Sequence, residues 1–272
     1  MSATIEDAEQ AWARFRKERD AALAEEHGWL SLTSLQWLPA IPAAADLAPG
    51  LWSARGASAS LTAGPDDGLT DLATGRPVVG TITAALDDEE SLMWVAHGGA
   101  SGRRTLVELA RRAGRYAIRT RDSESPTLTG FRGVPVFGYC PDLAVEARFE
   151  PYAEPLGESV RTAHPAVSGR HTADGDVVFS LPQDSRSFRL RAARADDGSL
   201  DITFHDRTNG ASTAGWRRVT TRPPGPDGVV VLDFNRALNY PSAFTAYGTC
   251  PMPVDANQVD ARIEAGEKVP GT

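Results

Sequence analysis

Apolar residues recur at helical spacing in one stretch of the chain, through Ile5, Ala8, Trp12, Phe15 and Leu23, which predicts a helix over residues 4–27 with a narrow apolar stripe. Gly28 follows as a terminator able to take the left-handed conformation that closes a helix. The next segment, Trp29 to Leu38, carries two tryptophans and four leucines and reads as a packing surface for that helix.

After Pro39 the period shortens. Apolar runs at Leu51–Ala54, Ser58–Thr62, Val78–Ile82, Leu92–Ala96 and Tyr116–Thr120 are separated by Gly, Pro and Asp, the residues that set turns. This spacing predicts a small antiparallel β-sandwich over residues 39–122. Thr105–Ala113 fits either a short helix or a strand leading into Gly114. The glycine-rich run Gly98–Arg104 lacks the lysine of a nucleotide loop and reads as a hairpin tip.

Ser123–Gly133, poor in apolar residues, marks a connector. A second β-rich block follows, with strands expected near Val145–Tyr152, Val177–Leu181, Ser187–Ala192, Leu200–His205, Ala214–Thr220 and Val229–Leu232. Asp174-Gly175 and Asp196-Asp197-Gly198 are expected hairpin turns. The fold class is therefore mainly β: helix and linker over 1–38, a sandwich over 39–122, and an antiparallel β-barrel-like domain over 123–272.

Charge narrows the partners. A net charge of -8 argues against a surface built to neutralise nucleic-acid phosphates or anionic lipid, while Arg217 and Arg218 together leave room for a local basic patch. No apolar run approaches a membrane helix and no signal sequence opens the chain, so the expected location is cytoplasmic. Two cysteines provide neither a disulfide framework nor a four-cysteine zinc site. His164 and His171 lack ligand spacing, so neither metal nor cofactor is expected. The oligomeric state is not fixed by the sequence.

The densest set of polar side chains with fixed geometry lies between Val229 and Lys268. Arg236 offers a planar fork to a carboxylate or phosphate, and Asp233 either holds that fork or acts as a base. Asn235, Asn239, Tyr240, Tyr247 and Asn257 complete the candidate ligand-binding set. His205 titrates near neutrality and Cys250 can supply a thiolate, so these two join Asp233 as candidate catalytic groups. The same Asp and Asn residues also suit a structural task, satisfying backbone where a strand gives way to irregular chain.

Asp233-Phe234-Asn235-Arg236-Ala237, Asn239-Tyr240-Pro241, Ala243-Phe244-Thr245, Tyr247-Gly248-Thr249-Cys250-Pro251, Asn257 and Glu264-Ala265-Gly266-Glu267-Lys268 resemble the C-terminal signature of the bacterial domain-of-unknown-function family 1684. Arg121–Pro126, Arg148–Tyr152 and Phe204–Gly210 fit the same pattern. The resemblance implies a forkhead-associated-like sandwich in the first half and a barrel-like second half. It does not imply phosphopeptide binding, because Ala43–Ala57 carries no phosphate-binding signature. Two functions remain in view: a pocket in the C-terminal β-domain for a small anionic or polar molecule, with cofactor-independent hydrolase or lyase chemistry, or a non-catalytic interaction module whose polar cluster is structural.

Overall fold

The computed structural model describes residues 2–98, 104–182 and 184–271, and the chain divides into two units. One is continuous, Ala22–Phe131; the other joins Met1–Ala21 to Arg132–Thr272. Gly99–Arg103, most of the expected hairpin tip, lie outside the described residues.

The continuous unit contains β1 (Leu32–Trp37), β2 (Ala43–Ala44), β3 (Leu51–Arg55), β4 (Ser58–Ala63), β5 (Thr70–Asp71), β6 (Gly80–Ala84), β7 (Ser91–Gly98), β8 (Arg104–Arg112) and β9 (Arg115–Asp122). They form a five-stranded sheet, ordered β1-β9-β8-β7-β5, and a four-stranded sheet, β2-β3-β4-β6. Alternate residues of both sheets point into one core, where Trp52 meets Trp94 edge-on with ring centroids 5.8 Å apart. Thr105–Ala113 resolves as strand because it pairs on both sides, with β7 and with β9.

The far face of the five-stranded sheet is also covered, and there the pattern is ionic. Glu108 is 2% exposed and accepts from Arg119 at 3.0 Å and Arg121 at 2.6 Å. Arg121 also donates to the carbonyls of His27 and Gly28 and lies against the Trp29 ring. Burial alone would raise the Glu108 pKa; the guanidinium groups of Arg121 and Arg119 outweigh it and hold the carboxyl below its ordinary value.

The discontinuous unit begins with most of α1 (Ser2–Leu23). The helix stops four residues short of the expected end. Gly28 is not a left-handed cap: its φ is -72° and the chain enters a short 3-10 turn. Glycine suits the position for another reason, since a Cβ there would sit 3.2 Å from the Glu25 carbonyl oxygen.

After the one-turn helix α2 (Pro126–Thr129) of the connector come β10 (Ala144–Arg161), β11 (Ser168–Leu181), β12 (Asp184–Arg194), β13 (Leu200–Asp206), β14 (Arg217–Thr220), β15 (Val229–Asp233), β16 (Leu238–Asn239) and β17 (Gln258–Val259). The sheet order is β15-β10-β11-β12-β13-β14-β16, with β17 added parallel to β13. It curls into a half-barrel around Phe179, Phe188, Phe204, Phe234 and aliphatic neighbours. Asp174-Gly175 is not a turn. β11 runs straight through it, because Gly175 lets the backbone approach Glu150, whose carbonyl oxygen a Cβ would meet at 2.5 Å. Asp196-Asp197-Gly198 does turn, with Gly198 at φ +83°.

No helix among the described residues is long and apolar enough to cross a membrane.

Candidate functional site

At the end of β15 the chain leaves the sheet, and its polar side chains take over the backbone bonding that strands would have supplied. The Asp233 carboxylate accepts from the Asn235 backbone N–H at 3.0 Å and caps a 3-10 turn that drives Phe234 into the core. Asn235 then mimics a strand partner, accepting from the Cys140 N–H and donating to the Cys140 carbonyl. Asn257 does the same for Arg191 and adds a bond to the Thr203 carbonyl, filling the gap where β12 diverges from β13. Asn239 donates to the Lys268 carbonyl. All three asparagines are about 1% exposed. Asn235 and Asn257 bond backbone through both amide atoms and Asn239 through its amide nitrogen, which assigns them to the fold.

Two buried charge clusters complete this lock. Glu267, with no exposed surface, accepts from Arg16 at 2.8 Å, Arg19 at 3.1 Å and the Asn239 N–H at 2.6 Å. Gly266 beside it has φ +73°, and a Cβ would meet the Ala237 carbonyl oxygen at 2.5 Å. Arg217, also without exposed surface, donates to Asp206 at 2.7 Å and to the carbonyls of Ile263 and Ala265. Burial pulls the Arg217 pKa down and Asp206 opposes it. Arg217 is therefore no part of a surface basic patch, although its neighbour Arg218 is half-exposed. None of Arg16, Arg19, Arg217 and Glu267 was singled out as a site residue from sequence. The available signal was Arg16, which falls on the helical stripe of Trp12 and Phe15 where an apolar residue belongs.

A cleft of about 670 Å³ opens where the half-barrel fails to close. β15 and β16 are the ends of the sheet order, and β14 pairs with β16 only through Arg217 and Arg218. The edge of β15 opposite β10 and the outer edge of β14 beyond Arg218 thus border a seam. Val229, Val230 and Val231 all line it; a sheet face would contribute alternate residues only, so β15 presents its edge. Phe15 of α1 and Leu238 add apolar walls. The helix that carries Phe15 is held by Trp12, which donates to the Asn235 carbonyl, and by the two arginines on Glu267.

Three guanidinium groups, Arg218, Arg222 and Arg236, line this cleft against one carboxylate, Asp233. Arg236 is fixed by its inner part: Nε lies 3.4 Å from Asp233, and the guanidinium carbon sits 4.7 Å from the Phe15 ring centroid. Arg218 lies over the Tyr240 ring at 5.8 Å. Among the described residues their guanidinium groups converge on one cleft without an ion pair other than that of Arg236 with Asp233, whereas Arg16, Arg19 and Arg217 are taken up by buried carboxylates. Beside the cleft residues the Tyr139 phenol is pushed above its ordinary pKa, first by burial and then by the Asp233 charge.

Of the nine expected site residues, Asp233 and Arg236 line the cleft. His205 is half-buried on β13 with Nδ1 2.9 Å from the Gly215 carbonyl, and Asp206 points the other way, to Arg217. Cys250 is buried near Gly248 and Tyr240. The Tyr240 hydroxyl is bonded to Thr203, and burial raises its pKa. Tyr247 is half-buried in the turn after Thr245. The three candidate catalytic groups do not share the cleft. No group of three or more His, Cys, Asp or Glu suited to a metal occurs among the described residues.

A family model described as a protein of unknown function, DUF1684, matches residues 129–268. No curated protein matches the chain. Among solved structures the chain is similar to the uncharacterized protein from gene locus rrnAC0354 of Haloarcula marismortui, determined by solution NMR. The identity is 24%, covering 52% of this chain and 78% of that one, with a TM-score of 0.42.

Proposed function

We propose, for a chain that belongs to the DUF1684 family of unknown function, that the seam cleft of the half-barrel binds a small anionic molecule. The observation that carries this reading is the convergence of three guanidinium groups, against a single carboxylate, on one cleft of an acidic protein. Three like charges gathered beside an apolar wall repel one another, and an anion bound between them offsets that repulsion through charge-assisted hydrogen bonds. Arg236 is the principal contact. Its contacts with Asp233 and Phe15 orient the side chain and leave both terminal nitrogens to meet two oxygens of a carboxylate or phosphate. Arg218 and Arg222 supply further positive charge, and the cleft lies within the usual size range of small-molecule sites.

The reading is one of binding rather than catalysis. His205 and Cys250 stand outside the cleft, and Asp233 is engaged with the Asn235 backbone and side chain. The polar family signature serves as scaffold: it holds the strand end that carries Arg236.

The test is calorimetric titration of the full chain with inorganic phosphate and simple carboxylates, repeated on Arg236→Ala. Loss of a charge-assisted bidentate contact is worth about 1.5–3 kcal/mol, so affinity should fall roughly 10- to 100-fold while the melting temperature stays unchanged. Absence of binding in the parent, or unfolding of the variant, would sink the proposal and leave Arg236 a structural clamp.

A further inference from the structure

We infer that the anion is a linear amphiphile: a single carboxylate head on an unbranched apolar chain that lies along the seam. This rests on the anion-binding reading above and adds the shape of the occupant. The cleft is two-sided in chemistry. Arg236 and Arg218 stand against an apolar wall of Phe15, Val231 and Leu238, and Val231 is 57% exposed. A compact polar anion such as phosphate would use the arginines and leave that wall in water. A chain trailing from the head covers it.

The width of the seam selects among elongated occupants. Strand edges invite strand addition, and an acidic peptide would match the charge. At their nearest positions, however, Cα atoms of β14 and β15 come within 8 Å of each other, so the seam is not open to a strand along its full length. A peptide strand inserted between two strands needs roughly 9.5 Å, twice the inter-strand spacing. A hydrocarbon chain is slimmer and carries no amide groups that demand partners.

The experiment is calorimetric titration of the full chain with acetate, hexanoate, octanoate and decanoate below their micellar concentrations, with inorganic phosphate and an unstructured acidic peptide alongside. Each methylene buried in a half-open cleft should raise affinity about two- to fourfold, the upper figure corresponding to ~0.8 kcal/mol, so decanoate should exceed hexanoate by roughly 16- to 250-fold. Val231→Thr, conservative in shape at an exposed position, should flatten that slope. A series independent of chain length, with acetate and phosphate binding through Arg236, would overturn the amphiphile and leave the anion site standing. Tighter binding of the acidic peptide than of decanoate would overturn it in favour of strand addition. No binding by any anion would remove both readings together.

Discussion

Glu267→Gln removes a single charge from the discontinuous unit, and the structure sets the size of the effect. The carboxylate has no exposed surface, and the side chains of the two arginines it holds are 9% and 16% exposed. Breaking a buried ion pair by deleting one partner costs about 3–5 kcal/mol, because the remaining charge stays buried without compensation. Two features place this case at the lower end. Arg16 keeps a second carboxylate, Asp20, at 3.5 Å, and a glutamine carbonyl still accepts from the Asn239 N–H. The expected loss is therefore about 3 kcal/mol, or about 6–12 °C in the melting transition of a unit of this size. Differential scanning calorimetry reads it directly, and the transition of the Ala22–Phe131 unit serves as internal reference. In an Arg16→Met background the same substitution should cost about 1–2 kcal/mol less, since the two residues share one interaction. A shift below 2 °C, or additive effects of the two substitutions, would refute the claim that this cluster fastens α1.

Gly266→Ala should destabilise the same unit by at least about 2 kcal/mol, because a positive φ and a clash with the Ala237 carbonyl act together; urea unfolding of the variant measures it. Glu108 carries a pH prediction. Its folded pKa is depressed, so its contribution to stability is complete above the ordinary glutamate pKa of about 4.3 and is lost as pH falls below it toward the folded value. Melting of the Ala22–Phe131 unit should therefore show an acid-side decline that Glu108→Gln reduces, and equal slopes in parent and variant would contradict the assignment.

The strands and the long helix were legible because side-chain period follows burial directly. β4 alternates buried and half-exposed residues over Ser58–Ala63, and β13 does so over Leu200–Asp206. Local chemistry misled where tertiary contact decided. Asp174-Gly175 has the composition of a turn, but Gly175 is needed for close approach between strands. Gly28 has the composition of a helix cap, yet it serves the turn against Glu25.

Of the segment singled out in the sequence, Arg236 and Asp233 line the cleft. The sequence could not separate cleft from scaffold. Asn235, Asn239 and Asn257 look like ligand contacts on paper, and only their backbone partners, 29 to 95 residues away, show otherwise. Arg222 gave no signal, and Arg218 only that of a basic pair with Arg217, because the seam that gathers them is a property of sheet closure. Arg217 and Arg218 are adjacent in sequence and opposite in role: strand alternation buries one and leaves the other in the cleft.

The pairing of α1 with Glu267 also sets a clock. Arg16 and Glu267 are separated by 251 residues, so at roughly 5–20 residues per second the helix is made about 12–50 s before its carboxylate exists. Meanwhile Trp12 waits for the Asn235 carbonyl, and Phe15 for the cleft it will wall. The Ala22–Phe131 unit, continuous in sequence, is synthesised within that interval. The amphipathic helix is thus made long before the strands it packs against, and the seam cleft forms last.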